Sequence, residues 1–388
     1  MVDLREEPEQ ASFRAEVKDW LRRHSPGEAL APVGTAEGLV AHRDWERRLW
    51  EAGYAALHWP AEYGGGGADV LTQAVFQEEY ARAGAPERIN RLGLGLIGPT
   101  IMSHGTPEQK DQWLPAILSC EHIWCQGFSE PGAGSDLAAL STRAERDGDE
   151  FVVNGQKTWT SFGTFADWMF ALVRSDPNSG KHRGITYLMI SMDSPGIEVR
   201  PLRQLHGDVG FSEVFFTDVR VSARNVLGKV GDGWRVAMET LRYERGSALG
   251  NHTRYSQDVD TLIELVRRRD LDQELDVRMA VADLFVETQV FRRYMQHSVT
   301  RQAAGQDTAH AASITKLYWS EMETRIFETA LEALGPFAEL QQDAPASIFP
   351  GRFDRRYWHA RAAKIFAGTS EIQKNLIAER LLGLPRGG

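Results

Sequence analysis

The sequence predicts an α+β fold, mostly α, with a helical region at residues 1–120, a β-rich section at 121–230 and a helical bundle at 231–388. Three observations predict it. Before residue 120, apolar side chains recur at helical spacing, around Phe13, Val17, Trp20 and Leu21 and again around Trp45, Leu49 and Trp50. Between 121 and 230 the apolar runs are short and rich in β-branched and aromatic residues: EFVV, WMFALV, GITYLMI and EVFFTDVRV. Helical spacing then returns, with few breakers, over 234–267, 273–303 and 308–334.

The punctuation supports this order. Pro60 and the run Gly64 to Gly67 interrupt the first helical region. Asp147-Gly148 and Asn154-Gly155 are hairpin signals flanking EFVV. Pro177, Gly180, Pro195 and Gly196 separate the later strands, and Gly335-Pro336 ends the third long helix. A last helix opens at Ser370, where Ser370-Glu371-Ile372-Gln373 reads as a capping box, and Gly383 with Pro385 closes it. There is no internal repeat and no low-complexity tract.

Composition removes several classes of function. A chain of 388 residues is long enough for two or three domains or one large layered unit. A formal charge of −10 without a basic run argues against nucleic-acid binding. Two cysteines, Cys120 and Cys125, are too few and too close for a disulfide framework, so a reducing, cytoplasmic location is expected. The charged start MVDLREEPEQ does not resemble a signal peptide, and no apolar stretch is long enough for a membrane span. No metal site is expected. Eleven tryptophans point to a well-filled core or a surface for a flat ligand.

Five segments could carry chemistry. GLGLIG (Gly93, Gly95, Gly98) matches a dinucleotide pattern but sits in a helical region with Pro99 next, so close helix packing explains it better. The loop from Trp124 to Asp136, which includes Gln126, Phe128, Ser129, Gly134 and Ser135, could present backbone N–H groups to a phosphate, or be an ordinary surface loop. In Asn154 to Ser161, Trp159 could cover a flat ring with Ser161 nearby, or be the core residue of a hairpin. In GWRVAMETLRYERGSALG, Trp234, Met238, Leu241, Arg245 and Leu249 share a helical stripe with Glu244 at its edge. A carboxylate there is either half of an ion pair or a general base with a raised pKa. Ala367 to Gln373 opens a helix whose N–H groups favour an anion, or is a plain N-cap.

Taken together, these segments resemble the acyl-CoA dehydrogenase family. The likeness runs through WPAEYGG (59–65), HGTPEQKDQWLP (104–115), QGFSEPGAGSD (126–136), NGQKTWTS (154–161), DVRV (218–221) and GTSEIQ (368–373). The resemblance implies a helical domain, a β-domain and a helical bundle, with FAD held between the last two. It implies cofactor contacts at Gln126, Phe128, Ser129, Gly134, Ser135, Trp159, Ser161, Arg267, Thr369 and Glu371, with the Ser161 hydroxyl near flavin N5. Ser135, Arg245 and Gly368 are the substrate-side residues it implies. The expected reaction is α,β-dehydrogenation of an acyl-CoA thioester, with α-proton removal by a carboxylate and β-hydride transfer to flavin N5. The backbone N–H of Ala367 would polarise the thioester carbonyl.

Three departures qualify the likeness. The commonest family base, a Glu directly before Gly-Thr-Ser, is replaced here by Ala367. Isovaleryl- and long-chain-type members place the Glu on the earlier helix, at the position of Glu244, which is therefore the expected base. The family's Arg-x-x-Phe-Gly, which reaches a neighbouring subunit's FAD, falls by spacing at Arg267 to Leu271 with Asp270 at the Phe place. Its Gln-x-x-Gly-Gly becomes Glu332-Ala333-Leu334-Gly335-Pro336. The expected partners are an electron-transfer flavoprotein and further subunits, in a homodimer, a homotetramer or a mixed oligomer. Alternatives are a half-site or non-catalytic subunit of a mixed tetramer, or an oxidase or tailoring flavoenzyme on the same fold.

Overall fold

The computed structural model describes residues 7–246, 251–306, 311–340 and 344–385. Five helices come first: α1 (Pro8–His24), α2 (Ala36–Glu51), α3 (Val70–Arg82), α4 (Gly98–His104) and α5 (Pro107–Leu118). Their starts are written in the sequence. Thr35 and Asp69 accept hydrogen bonds from Gly38 N–H and Thr72 N–H, and Thr106 with Gln109 forms a reciprocal box with Pro107 at the first helical position. Val17, Leu21, Trp45, Leu49, Phe76 and Trp113 fill the core between these helices. GLGLIG is helical, as expected, and Gly93–Ile97 forms a π-helical turn leading into α4. Leu94 O, freed by the irregular turn, accepts from Trp59 Nε1 (2.8 Å) and His58 Nε2 (3.1 Å). A Cβ on Gly98 would lie 2.2 Å from the Trp59 ring, so glycine is required for this approach.

Seven strands follow: β1 (Trp124–Gly127), β2 (Arg143–Asp147), β3 (Glu150–Ser161), β4 (Trp168–Arg174), β5 (Ile185–Ser191), β6 (Ile197–Leu202) and β7 (Phe211–Ser222). The sheet order is β1-β4-β2-β3-β7-β6, with β5 also paired to β4. Both faces of β4 and β5 are covered. Phe170, Leu172, Tyr187 and Met189 join the core of the first helices, while Met169, Ala171, Leu188 and Ile190 point to a second core within the sheet. Gly148 (φ +60) turns β2 into β3, as Asp147-Gly148 predicts. Asn154-Gly155 makes no turn. It lies inside β3 at a register shift, and Asn154 pairs with Asp218 across the sheet. The pleated strand runs on because β7 supplies the partner that a turn would have needed.

The chain ends in α6 (Gly233–Gly246), α7 (Asn251–Arg268), α8 (Leu275–Ala303), α9 (Ala311–Leu334), α10 (Asp354–Ala363) and α11 (Ser370–Leu376). Of the expected continuous helix over 234–267, the described residues form α6 and α7, and 247–250 lie outside the described residues. Val236 and Ala237 of α6 sit in the same core as the first helices and the sheet, whereas α7 to α10 enclose their own core around Leu262, Phe291, Ile326, Phe327 and Phe353. The buried carboxylates of Glu323 and Asp258 tie this bundle to Arg254, Arg352 and Arg356. Among the described residues no helix is long and apolar enough to cross a membrane, and no cluster of metal-ligand side chains occurs.

Candidate active site

β1 hugs β4: a Cβ on Gly127 would lie 2.3 Å from Met169 Sδ. Gln126 is half-buried in this strand, and Phe128 is buried edge-on against Phe170 and Tyr187. The loop that follows is pinned to β3. Ser129 O accepts from Thr158 N–H at 2.9 Å, and Phe128 O accepts from Lys157 Nζ at 3.2 Å. Lys157 is wholly buried and pairs with Glu130 at 2.7 Å. The Glu130 carboxylate also accepts from Ser141 N–H, Ser141 Oγ and Thr142 N–H at 2.6–3.0 Å. Burial by itself would raise the Glu130 pKa, but the ammonium and these donors hold it at about 2. Beyond this anchor Gly132, Gly134, Ser135 and Asp136 are exposed, with open space around both glycines.

Trp159 stands on a β-bulge. Lys157 pairs with Val214 and Thr160 with Ser212, so Thr158 and Trp159 together oppose Glu213 alone. Trp159 adopts φ +57, a left-handed conformation that costs a non-glycine residue about 1–2 kcal/mol. Its indole is 61% exposed and touches Phe211 edge-on at 6.0 Å. Ser161 is half-buried two residues on, at the end of β3. The sequence-expected Phe128, Ser129, Trp159 and Ser161 therefore belong to one hydrogen-bonded unit.

On α6 the buried line differs from the expected stripe. Val236, Ala237 and Thr240 are buried, whereas Met238 is exposed and Trp234 and Leu241 are only partly covered. The sheet and α4 select this face: the Thr240 hydroxyl meets Thr100 Oγ1 (3.0 Å) and Tyr187 Oη (3.3 Å). Alongside, Glu239 pairs with His104 at 2.6 Å and with Tyr243 Oη at 3.1 Å, and Ser103 meets Tyr243 Oη at 2.8 Å. By helical register, Glu244 continues the line of Ala237 and Thr240, while Arg245 continues that of Met238 and Leu241. The side chains of Glu244 and Arg245 lie outside the described residues.

The last helix is capped one residue earlier than expected. Thr369, not Ser370, is the N-cap, and its hydroxyl accepts from Ile372 N–H. Ser370 is buried instead, because the preceding turn, with φ +52 at Ala367 and +89 at Gly368, swings it inward. Gln373 Nε2 donates to Ala367 O at 3.0 Å and holds that turn. Glu371 is exposed at the first turn, and its own backbone N–H and the Thr369 hydroxyl lower its pKa. Residues that sequence reasoning missed join the sheet to this region. His206 and Asp208, in the β6–β7 loop, meet His359 and Arg355 of α10. The loop leading into β7 is thereby held against α10, whose His359 also meets Phe366 in the turn that follows. No local pattern signals such a long-range pairing.

Arg267 is exposed in the last turn of α7. The two altered motifs do meet each other there. Arg269 donates to Ala333 O and stacks on Phe337, and Asp270 takes a left-handed φ of +55.

Family models for the acyl-CoA dehydrogenase N-terminal, middle and C-terminal domains match residues 7–121, 125–219 and 231–382. The chain is 41% identical to acyl-CoA dehydrogenase IpdE1 of Mycolicibacterium smegmatis, over 96% of this chain and 97% of the relative. The chain belongs to the acyl-CoA dehydrogenase family. Solved relatives of this acyl-CoA dehydrogenase include the Tcur3481-Tcur3483 steroid ACAD, with 30% identity, TM-score 0.88 and coverage of 99% of this chain and 100% of that one. Another is the ChsE4-ChsE5 complex from Mycobacterium tuberculosis, with 31% identity, TM-score 0.84 and coverage of 99% and 100%. The protein is an oxidoreductase of a family of FAD flavoproteins. The residues present fit that cofactor. An exposed indole on a strained, rigid bulge beside an open glycine-rich loop offers a face for a flat ring and free N–H groups for a phosphate.

Proposed function

We propose that the chain dehydrogenates an acyl-CoA thioester across its α,β-carbons with Glu244 as the base. The observation that carries this is the register of α6, in which position 244 follows the buried Ala237 and Thr240 by helical spacing, while Ala367 fills the alternative base position. Phe128, Ser129, Gly134, Ser135, Trp159, Ser161, Thr369 and Glu371 would hold the FAD, with Gln126 alongside. When bound, FAD supplies the two-electron acceptor for the β-hydride. The chain's own tasks are three. Glu244 removes the α-proton. The Ala367 N–H donates to the thioester oxygen as enolate charge develops. Arg245, Ser135 and Gly368 position the CoA ester. Two buried, unpaired cysteines agree with a reducing cytoplasm.

Likeness to a steroid ACAD supports a bulky polycyclic acyl group. The test is anaerobic addition of steroid-type and straight-chain acyl-CoA esters to the flavin-loaded protein. Glu244→Gln keeps the flavin spectrum but slows bleaching by about a hundredfold to ten-thousandfold. Bleaching at the wild-type rate in that variant would rule out Glu244 as base. Rapid peroxide release in air would favour an oxidase instead, and an electron-transfer flavoprotein is the acceptor otherwise expected.

A second arrangement is favoured by the closed junction of α7 and α9. Arg269 is engaged by Ala333 O and Phe337, and Asp270 and Pro336 replace the family's residues there. Such a chain is suited to a mixed oligomer in which a different subunit completes one cofactor site. The ChsE4-ChsE5 relative is a complex, and the Tcur3481-Tcur3483 steroid ACAD likewise carries a paired name. The visible spectrum decides: a yellow protein when expressed alone supports a self-sufficient homo-oligomer, and a colourless one that gains FAD only on mixing supports the mixed assembly.

A further inference from the structure

The Lys157–Glu130 pair is costly as a stabilising feature. Both groups are buried, and a buried ion pair contributes little more to folding than apolar residues of the same volume. Its placement points to another use. Lys157 lies two residues before the strained Trp159 bulge, and its ammonium holds Phe128 O and Glu130 Oε1 at once. Glu130 is the one side chain that gathers the Ser141 and Thr142 amides, where the glycine-rich loop returns to the sheet. The pair therefore fastens both ends of segment 131–140, in which Gly132, Gly134, Ser135 and Asp136 are exposed, to the strand carrying Trp159. Glycine-rich backbone is entropically expensive to order, and an anchored loop presents its N–H groups at less cost to a ligand.

We propose that Lys157 and Glu130 are positioning residues for the cofactor surface: the clasp sets the spacing between the 128–136 loop and the Trp159 bulge, and so the affinity for FAD, separately from its effect on fold stability. This rests on the FAD site proposed above. The reason is geometric. An apolar pair of equal volume can fill the same space, but it cannot receive the Ser141 and Thr142 N–H groups or hold the Phe128 carbonyl.

Four full-length variants test it: Lys157→Met, Glu130→Gln, the double change Lys157→Met with Glu130→Leu, and Glu130→Asp, which keeps the charge but shortens the reach. Denaturant midpoints, FAD dissociation constants and amide exchange of residues 128–142 in the FAD-free protein are measured for each. The single changes lower the midpoint and weaken FAD binding. The double change regains part of the midpoint lost by the single changes yet still binds FAD about tenfold more weakly, and its 128–142 amides exchange faster. Glu130→Asp stays folded and shows the same weakening. A double variant that regains both stability and FAD affinity overturns the proposal. If the wild-type chain alone takes up no FAD, the one-chain cofactor site fails separately. Amide exchange then decides the clasp: unchanged protection in the folded Glu130→Asp variant overturns it.

Discussion

At the residue scale, Trp159 and Glu130 show how one position can be read apart from its element. The Trp159 indole contributes little to the core, because most of it faces outward. Trp159→Ala should therefore leave the denaturant midpoint nearly unchanged while weakening FAD binding roughly tenfold, the order expected for a lost aromatic stacking partner. Equal losses in both measurements would assign the ring to the core. Glu130 behaves oppositely. Its folded-state pKa of about 2 lies below the usual 4.5, so its ionised form favours the folded state. That contribution is fully present above about pH 4.5 and is lost as the pH falls towards 2. Glu78, held at about 2 by His252, Arg14 and Arg82 against its burial, adds to the same acid limb. In Glu130→Gln, stability at pH 7 falls by about 3 kcal/mol and its slope between pH 4.5 and 2 flattens. Urea titrations at several pH values read both effects.

At the element scale, α6 is the decisive case. Spacing predicts a helix there and the structure contains one, but hydrophobicity alone does not pick out its most buried line. The stripe Trp234–Met238–Leu241 is the more apolar, yet the side packed on β5 and α4 carries Val236, Ala237 and Thr240. Small residues allow the helix to approach the sheet, as Gly233 does against the Tyr187 amide, where a Cβ would lie 2.4 Å away. Thr240→Val keeps the shape but strips the hydroxyl from Thr100 and Tyr187. It should cost about 1–2 kcal/mol by chemical denaturation. Because Glu244 is one turn further on, bleaching by acyl-CoA should slow as well. A full-speed enzyme with the stability loss would separate the anchor from the chemistry. Position 154–155 teaches the same point for strands: Asn-Gly is a strong turn signal, overridden here because β7 continues the ladder past it.

At the scale of the whole molecule, α8 leaves Leu275, Met279, Val286 and Val290 exposed at helical spacing. A monomer seldom leaves so long an apolar stripe in water. The proposed oligomer should use it. Val286→Asp with Val290→Asp should lower the mass seen by sedimentation while the chain keeps its far-ultraviolet circular dichroism. An unchanged mass would place the subunit contacts elsewhere. The closed Arg269–Phe337 junction belongs to this scale too, since in the mixed oligomer proposed above it would face a second subunit.

Much of the architecture was legible because it follows from local chemistry. Apolar period, caps such as Thr35, Asp69 and Thr106, and the turn at Gly148 depend on neighbours within a few residues, so the helix, sheet, helix order and the glycine-rich loop could be read directly. Motif order also marked Phe128, Ser129, Trp159 and the Ala367 turn as one candidate site. The tertiary structure decided what depends on contacts far apart in sequence. It chose the face of α6 and moved the last N-cap to Thr369. It buried Lys157 against Glu130, and it joined His206 and Asp208 to α10. Such pairings cost loop-closure entropy and are settled by which surfaces can pack without leaving a polar group unpaired, a condition no local stretch of sequence contains.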